Sequence, residues 1–204
     1  MKTLHKVKRI IKRHPHKTLK KSDVYVASYK LEIRDTKKYG RGVFARKEIA
    51  KGETIHIFTG RVVSEYECDH ILVPSGQIRN DDPLQIETDK YLILDPLAYI
   101  FNHNCNPNAG MKDRSTLFAV RNIKVGEEIT YDYSTTVGLN NPPAIWTMDC
   151  VCGAKNCRKK IAYIASLPKK TLAKYQKLGA LQDYIKQELK EKDKKKWRKA
   201  LVKK

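Results

Sequence analysis

The sequence has no long apolar run and no recognisable export signal. No apolar run approaches the roughly 20 residues that a membrane-spanning helix needs. The N-terminus is basic but lacks the apolar core of a secretory signal, so we expect a protein of the nucleus or cytoplasm, outside the secretory pathway. For a microbial source, that expectation extends to the nucleus of a host. Its cysteines are then expected to stay out of structural disulfides.

Familiar catalytic and nucleotide-binding patterns are also missing. We find no Ser-His-Asp order and no paired-carboxylate motif. The glycine pair Gly40 and Gly42 does not continue into the GxGxxG that opens a helix, and β-prone residues follow it. A glycine pair of this kind occurs in plain hairpin turns, and also where the backbone approaches a ligand closely.

Acidic residues are scarce, and they are unevenly distributed. The chain has 42 Lys and Arg against 22 Asp and Glu, a formal net charge of +20. Residues 1–21 contain no acid, and residues 186–204 are again rich in lysine. Such segments attract nucleic acid, nucleosomes or another polyanion, although solvated tails that only aid solubility have the same composition.

Cysteines are few, but most of them are clustered. Cys150, Cys152 and Cys157 lie within eight residues, which in a non-secreted chain favours a metal over disulfides. A closed tetrahedral zinc site needs four ligands, and Cys105 is the candidate for the fourth. An unmetallated reactive cluster or a disulfide is the alternative. Cys68 has no partner at metal spacing, so we interpret it as a free thiol.

Length and periodicity predict one core domain with flanking segments. With 204 residues and 41% hydrophobic residues, the chain can bury a substantial core. Short β-like runs dominate from residue 24 to residue 133. Apolar residues at helical spacing predict a helix over 172–178 that ends at Gly179, and a second helix around 181–189. We expect both helices to pack against the domain.

Two polar features interrupt the β-like pattern. The central segment, residues 102–108 with the sequence NHNCNPN, offers backbone groups for a ligand, a thiol for a metal and an Asn-Pro turn. Further on, Tyr131 and Tyr133 alternate with Asp132, so a strand would place both rings on one face. Paired tyrosines are ordinary in a β core, but their hydroxyls can also orient an amine, and their faces suit a cation.

Five motifs in order resemble the SET-domain protein lysine methyltransferases, including their cysteine-rich post-SET segment. The order extends over about residues 25–160 and is far more specific than any one motif. The motifs are YGRGVF at 39–44, FTG at 58–60, FNHNCNPN at 101–108, GEEITYDY at 126–133 and the cysteine run at 150–157.

The resemblance implies a mostly β fold, the SET-domain β-clip, followed by a helical C-terminal segment. In that fold the central segment threads under a loop and forms a pseudoknot, an exception to the rule against threading. The resemblance also implies S-adenosylmethionine as methyl donor and one structural zinc ion, Zn²⁺, held by Cys105, Cys150, Cys152 and Cys157. The implied donor-binding residues are Gly40, Arg41, Gly42, Tyr99, Asn102, His103 and Tyr133.

Two tyrosines carry the implied chemistry. Tyr133 matches the catalytic tyrosine of the family, and Tyr131 matches the position where Tyr or Phe tunes the number of methyl groups. A tyrosine at position 131 favours mono- or dimethylation. The sequence departs from the family at Phe58, where many members have tyrosine, at Asn104, where serine is usual, and at Tyr99, where many have arginine.

The implied function is S-adenosylmethionine-dependent methylation of a protein lysine, with histone or another chromatin protein as the leading substrate. The basic segments are expected to make non-specific contact with nucleic acid. One alternative is a non-catalytic, zinc-braced basic module that binds nucleic acid or chromatin, and another is an enzyme for small-molecule amines. The predicted divisions are a basic arm over 1–23, a SET domain over 24–135, a post-SET zinc segment over 146–162 and a helical basic tail over 163–204.

Overall fold

A computed structural model describes residues 29–36, 40–72, 74–76, 83–139 and 146–202, and side chains as far as residue 192. The predicted basic arm lies outside these residues. Within the described part of the chain, no helix is long and apolar enough to cross a membrane.

The described residues form a mostly β structure of five small sheets. One hairpin pairs β1 with β2, a three-stranded sheet has the order β3-β9-β8, and a second has the order β4-β6-β5. The remaining pairs are β7 with β10 and β11 with β12. The strands are β1 Leu31–Thr36, β2 Gly40–Ala45, β3 Thr54–Ile57, β4 Gly60–Ser64, β5 Leu84–Glu87, β6 Lys90–Leu94, β7 Asn102–His103, β8 Ala109–Lys112, β9 Thr116–Ala119, β10 Thr130–Tyr131, β11 Met148–Asp149 and β12 Lys160–Ile161.

The main core lies where these short sheets meet. Val43, Ile49, Phe58, Met111 and Ile129 are all almost completely buried there. Each such side chain contributes about 1.5–3 kcal/mol of hydrophobic stabilisation. Because strands this short cannot stand alone, the shared core holds the sheets together.

The parallel pair of β7 and β10 connects two distant parts of the chain. Asn102 lies opposite Thr130, and His103 lies opposite Tyr131. This pairing places the central segment beside the tyrosine motif, and it is the contact that a pseudoknot of these two segments requires. The twelve strands of the described residues, and the two helices that follow them, confirm the predicted mostly β fold with C-terminal helices.

Two helices follow the last strand and pack onto the sheets. Helix α2, Lys169–Leu178, ends at Gly179, whose φ of +68° makes it the left-handed cap that the sequence predicts. Helix α3 runs over Asp183–Val202. Tyr175 of α2 and Ile185 of α3 are buried against Phe118 of β9. The predicted packing of the helices against the domain is confirmed, so this part of the segment 163–204 belongs to the folded body.

The segment that follows β4 is helical. A short helix, α1 Glu65–Glu67, continues into a wider helical turn over Cys68–Leu72. Cys68 is buried beside Val63, and burial raises the pKa of its thiol to about 12. The thiol is therefore neutral and unreactive at physiological pH.

Candidate functional site

Asparagine side chains anchor the central segment to the strands around it. The Asn102 amide donates to the Arg41 carbonyl oxygen at 2.9 Å and to Glu128 Oε1 at 2.8 Å. Asn108 donates to the Glu128 carbonyl oxygen at 2.9 Å and accepts from the Thr130 amide at 3.0 Å. Both asparagines are buried, so these bonds hold a polar segment inside the fold without leaving its amide groups unsatisfied.

The glycine pair lies on β2, directly beside Asn102. Gly40 has a φ of +75°, which glycine adopts at little cost, and a Cβ there would meet nothing within 4 Å. A Cβ on Gly42 would instead lie 2.5 Å from Glu128 Oε1 and 3.1 Å from Asn102 Nδ2. Gly42 therefore makes room for the protein's own Asn102–Glu128 pair, while Gly40 leaves open space. Tyr99 belongs to a short 3-10 helix, Ala98–Ile100, that contacts β2.

The four aromatic rings of Phe58, Phe101, Tyr131 and Tyr133 form a continuous cluster in the core. Phe58 lies 5.6 Å from Phe101 and 6.0 Å from Tyr131, measured between ring centroids. The Tyr131 and Tyr133 centroids are 4.9 Å apart, so their rings lie together as the alternation predicts. Burial raises the pKa of Tyr131 well above its usual value, which keeps this hydroxyl neutral.

Tyr133 is fixed to the central segment at two points. Its hydroxyl donates to the Phe101 carbonyl oxygen at 2.8 Å, and its backbone amide donates to His103 Nδ1 at 3.2 Å. The predicted strand ends earlier than expected, at Tyr131, and Tyr133 begins a short 3-10 helix, Tyr133–Thr136. The ring position of Tyr133 is thus set by a helical turn and by the central segment together.

The cysteine run folds back onto the central segment. The Cys150 Sγ atom lies 3.8 Å from Cys105 Sγ and 3.7 Å from Cys157 Sγ. Cys152 Sγ lies within 4.8 Å of the Cys105 and Cys150 sulfurs and of a His103 ring nitrogen. Since zinc–sulfur bonds are about 2.3 Å long, two sulfurs of a tetrahedral site stand about 3.8 Å apart. The spacings of the Cys150 sulfur from those of Cys105 and Cys157 are therefore those of a zinc site.

The metal-binding atoms of His103, Cys105, Cys150 and Cys152 all lie within 4.8 Å of one another. His103 could therefore be the fourth ligand in place of Cys157. Since His103 Nδ1 accepts from the Tyr133 amide, the ring proton is assigned to Nε2, which lies 3.3 Å from Cys105 Sγ. A metal-binding nitrogen needs a free lone pair. His103 is therefore better suited to donate to the Cys105 sulfur than to bind the ion, which favours the four cysteines.

Further donors surround the Cys105 residue. The Arg158 backbone amide donates to Cys105 Sγ at 3.4 Å, and the Asn156 side chain donates to the Cys105 carbonyl oxygen at 3.0 Å. Burial raises the pKa of Cys105 to about 11, whereas a hydrogen bond from the Lys159 backbone amide lowers the pKa of Cys157 to about 7. Metal binding must displace protons from the buried thiols.

Sequence reasoning missed one residue at the centre of this region, Asp132. Its buried carboxylate accepts two bonds of 2.7 Å from the Arg158 guanidinium and one of 2.9 Å from the Tyr175 hydroxyl. Asp132 Oδ1 also lies 3.6 Å from His103 Nδ1. The sequence does indicate this residue, because the alternation that places Tyr131 and Tyr133 on one face places Asp132 on the other. A carboxylate that is buried there needs a charged or hydrogen-bonding partner.

Comparison with known families identifies the domain. A sequence profile described as "SET domain" matches residues 40–134. These residues hold the glycine strand, the central segment and the tyrosine pair. Residues 40–134 are therefore a SET domain, as the order of the motifs indicates.

The chain is similar to several named proteins. It is 31% identical over 153 residues to the histone-lysine N-methyltransferase ASHH3 of Arabidopsis thaliana, a match that covers 69% of this chain and 40% of that protein. It is 33% identical over 143 residues to a variant-silencing SET domain-containing protein of Plasmodium falciparum (isolate 3D7), a match that covers 62% of this chain and 5% of that protein. It is 31% identical over 156 residues to the histone-lysine N-methyltransferase mes-4 of Caenorhabditis elegans, covering 65% and 17%.

The matches leave much of each relative uncovered. The chain spans 40% or less of the length of these three proteins. Among solved structures, it is similar to a chain described as KRYPTONITE in complex with mCHG DNA and SAH, with 26% identity and a TM-score of 0.48. That match covers 64% of this chain and 28% of the other.

Proposed function

We propose that this chain is an S-adenosylmethionine-dependent protein-lysine N-methyltransferase. The observation that carries the proposal is the placement of Tyr133 inside a matched SET domain, with its hydroxyl held on Phe101 and its ring beside the buried Tyr131. The names of the relatives ASHH3 and mes-4, both histone-lysine N-methyltransferases, support the same reaction class.

The aromatic cluster suits the substrate side of this reaction. The attacking lysine amine must be neutral, although a free lysine has a pKa of about 10.4. Phe58, Phe101 and Tyr131 are all buried in one cluster, so an amine beside them would be shielded from water, which disfavours the ammonium form. S-adenosylmethionine supplies an electrophilic methyl group on a sulfonium. The ammonium would release its proton to bulk water as it leaves the solvent, so no strong base is required in the site.

Tyr133 is proposed as the catalytic residue that orients the amine. Its hydroxyl proton points to the Phe101 carbonyl oxygen, so the oxygen lone pairs are turned elsewhere and can accept from an amine. Alignment of this kind is effective, since well-oriented reactions reach effective molarities on the order of 10⁵ M or more.

The proposed donor site combines the glycine strand with the central segment. Gly40 offers open space, and the backbone of Arg41 and Gly42 runs beside Asn102. The Asn102 amide protons are already used by Arg41 and Glu128, so we propose that this side chain holds the strand in place. The His103 ring is bonded to Tyr133 and Cys105, which leaves its backbone as the proposed contact. Tyr99 is proposed to line the same site.

Tyr131 is proposed to limit the number of methyl groups to one or two. Within the described residues, no hydrogen bond engages its hydroxyl, and its ring fills the space beside Tyr133. A hydroxyl there can hold the amine or a water molecule and takes up volume that a third methyl group would need. Phe58 provides no second hydroxyl in this cluster.

One zinc ion is proposed to tie the post-SET segment, residues 146–162, to the SET domain. The ligands would be Cys105, Cys150, Cys152 and Cys157, for which the sulfur spacing gives support. A site with four cysteines has no open position, so the ion would be structural. It would place Arg158 beside Asp132 and close the region behind Tyr133.

Histone or another chromatin protein is proposed as the substrate, and the nucleus as the place of action. The strongly positive chain favours a partner that carries phosphate charges. On α2, exposed Lys170, Lys174 and Lys177 recur at helical spacing, and no acid in the helix balances them. We propose that this face and the basic termini contact nucleosomal DNA without base specificity.

The direct test is incubation with labelled S-adenosylmethionine and either nucleosomes, free histones or a cell lysate. We expect label on a protein lysine, and its loss in Tyr133→Phe. If no substrate is labelled and calorimetry detects no donor binding while zinc is retained, the alternative of a non-catalytic basic module is correct. Label on a small amine alone would point to an enzyme for small-molecule amines.

A further inference from the structure

Two tyrosines of the C-terminal helices lie at opposite ends of the short helix that carries Tyr133. The Tyr175 hydroxyl of α2 donates to Asp132 Oδ2 at 2.9 Å, and Asp132 precedes the helix Tyr133–Thr136. The Tyr184 hydroxyl of α3 donates to the Thr136 carbonyl oxygen at 3.0 Å, at the other end. Both hydroxyls are buried, so each bond replaces one that water would otherwise make.

At the first end, Asp132 acts as the cap of the helix. Its Oδ1 accepts from the Ser134 amide at 3.1 Å, and its carbonyl oxygen accepts from the Thr135 amide at 2.9 Å. Arg158 binds both carboxylate oxygens, which leaves Asp132 little freedom to rotate. The hydroxyl of Tyr175 completes the set on Oδ2. The orientation of the cap thus depends on a residue from α2.

At the second end, α3 holds the chain that leaves the helix. Besides the bond from Tyr184, the Leu139 amide donates to Glu188 Oε2 at 2.7 Å. Gly138 lies so close to α3 that a Cβ there would be 2.8 Å from Glu188 Oε2 and 3.0 Å from the Tyr184 ring. Such close packing leaves no room for the segment to shift towards the helix.

Between these two ends lies Tyr133, whose ring must keep its place. A short 3-10 helix has few bonds of its own and adopts the position that its ends dictate. Tyr175, together with Arg158, holds the first end, and Tyr184 holds the second. The Tyr133 hydroxyl then reaches the Phe101 carbonyl oxygen. A displacement of about 1 Å at a reacting group can cost a hundredfold in rate.

We infer that Tyr175 and Tyr184 are positioning residues for methyl transfer, which makes the C-terminal helices part of the active-site scaffold. The inference rests on the proposed function. Neither tyrosine touches the reacting groups, since each acts through the helix that carries Tyr133. Helix α2 and the first turn of helix α3, which lie in the predicted basic tail, would then be needed for the rate of the reaction.

The test compares Tyr175→Phe, Tyr184→Phe and the double variant with the wild type. Each change removes one oxygen and keeps the ring that packs against Phe118 and its neighbours. Single-turnover methyl transfer with saturating donor and substrate is measured well below the melting temperature, along with the donor Kd and the zinc content. We expect the rate to fall roughly 5- to 20-fold in each single variant and further in the double, with donor Kd and zinc unchanged.

Two controls separate positioning from a general loss of stability. Tyr163→Phe removes a tyrosine hydroxyl in the same segment that makes no hydrogen bond among the described residues. Val63→Ala lowers stability in a separate buried cluster. Both should keep the wild-type rate at the chosen temperature. Rates that simply follow the melting temperature in all variants would overturn the inference.

A second readout does not depend on activity. Amide hydrogen exchange over residues 133–136 should become faster in both Tyr→Phe variants and stay unchanged in Tyr163→Phe. If the wild type transfers methyl groups and the Tyr→Phe variants show the same exchange and the same rate, the positioning role is refuted and the proposed function is not. A wild type that transfers no methyl group would refute the proposed function, and exchange would still decide whether the tyrosines hold this helix.

Discussion

At the scale of single residues, Tyr131 and Tyr133 share a ring contact but differ in their hydroxyl bonds. Tyr133 donates to Phe101, whereas the Tyr131 hydroxyl has no partner within the described residues. The first arrangement suits an orienting role, because the oxygen is held in one place. The second suits a role in which the hydroxyl meets the substrate amine or a water molecule.

This difference predicts the effect of Tyr131→Phe. Removal of the hydroxyl frees about the volume of one water molecule beside the amine, so a partly methylated lysine can still align. We expect products with more methyl groups, up to trimethyllysine, at a rate within about tenfold of wild type. Mass spectrometry of the modified peptide over a time course provides the measurement.

The matched comparison is Tyr133→Phe, which should lose activity without a gain in methyl number. If Tyr131→Phe yields the same mono- and dimethyl products as wild type, the hydroxyl does not limit methylation. Loss of all activity in Tyr131→Phe would likewise contradict this assignment of roles.

At the scale of elements, the cysteine run and its flanking strands form a separate brace. Strands β11 and β12 pair on either side of the run, and the sulfur of Cys150 lies 3.8 Å from that of Cys105 and 3.7 Å from that of Cys157. In the absence of a metal, these thiols would hold the segment only weakly. The brace should therefore depend on zinc.

Substitution of single ligands tests which four residues bind the ion. We expect Cys157→Ser to abolish zinc retention, because the His103 ring is bonded elsewhere and does not replace the missing sulfur. Zinc that is present at a thousand times its Kd stabilises the fold by about 4 kcal/mol. A loss of that size lowers the melting temperature of a domain of this length by roughly 10 °C.

Elemental analysis of the purified protein gives the zinc content, and Cys68→Ser is the matched control, since Cys68 lies in another cluster. Full zinc retention in Cys157→Ser would instead favour the group that contains His103.

Elements with local signals could be predicted from the sequence. Helix α2 carries its apolar spacing and its Gly179 cap within one short stretch, and the structure has both. The partners of Asp132 could not be predicted in the same way. Arg158 lies 26 residues away and Tyr175 lies 43 residues away, so only tertiary packing reveals them. The link between Cys105 and the cysteine run was predictable because metal chemistry requires a fourth ligand.

At the scale of the whole molecule, charge is the dominant property. The net charge of +20 is not matched by surface acids, and on α2 like charges stand next to each other. Lysine pairs such as Lys170 and Lys174 at this spacing cost a few tenths of a kcal/mol each. Lys169 in the first turn is also unfavourable to the helix dipole. A polyanionic partner would offset these costs.

Nucleosome binding should therefore weaken steeply with salt. The measured quantity is the slope of the logarithm of the binding constant against the logarithm of the salt concentration. Replacing Lys170, Lys174 and Lys177 with glutamine should lower the magnitude of this slope by up to about 3, since each lysine that neutralises a phosphate contributes roughly one unit. The lysine-to-arginine triple variant keeps the charge and should bind like the wild type. A glutamine variant with an unchanged slope would show that this face does not contact DNA.

The whole-molecule arrangement was also the hardest part to foresee. Composition indicated basic tails, but residues 163–192 pack their apolar side on the domain and expose their lysines. The same segment thus contributes to the core, to the proposed DNA contact and to the support of Tyr133. Periodicity predicted the helices and their packing, whereas the buried hydroxyl bonds of Tyr175 and Tyr184 needed the structure.

The proposed methylation of a histone lysine, and the role of Tyr133 in it, can be measured in one experiment. Purified wild type and Tyr133→Phe are each incubated with S-adenosylmethionine that carries an isotope-labelled methyl group and with recombinant nucleosomes. Tandem mass spectrometry then identifies the modified residues. We expect a labelled methyl group on a histone lysine with wild type and its near-complete loss with Tyr133→Phe, while both proteins keep their zinc. Equal labelling by the two proteins would contradict the role given to Tyr133, and no labelled lysine from the zinc-loaded wild type would contradict the account for this substrate.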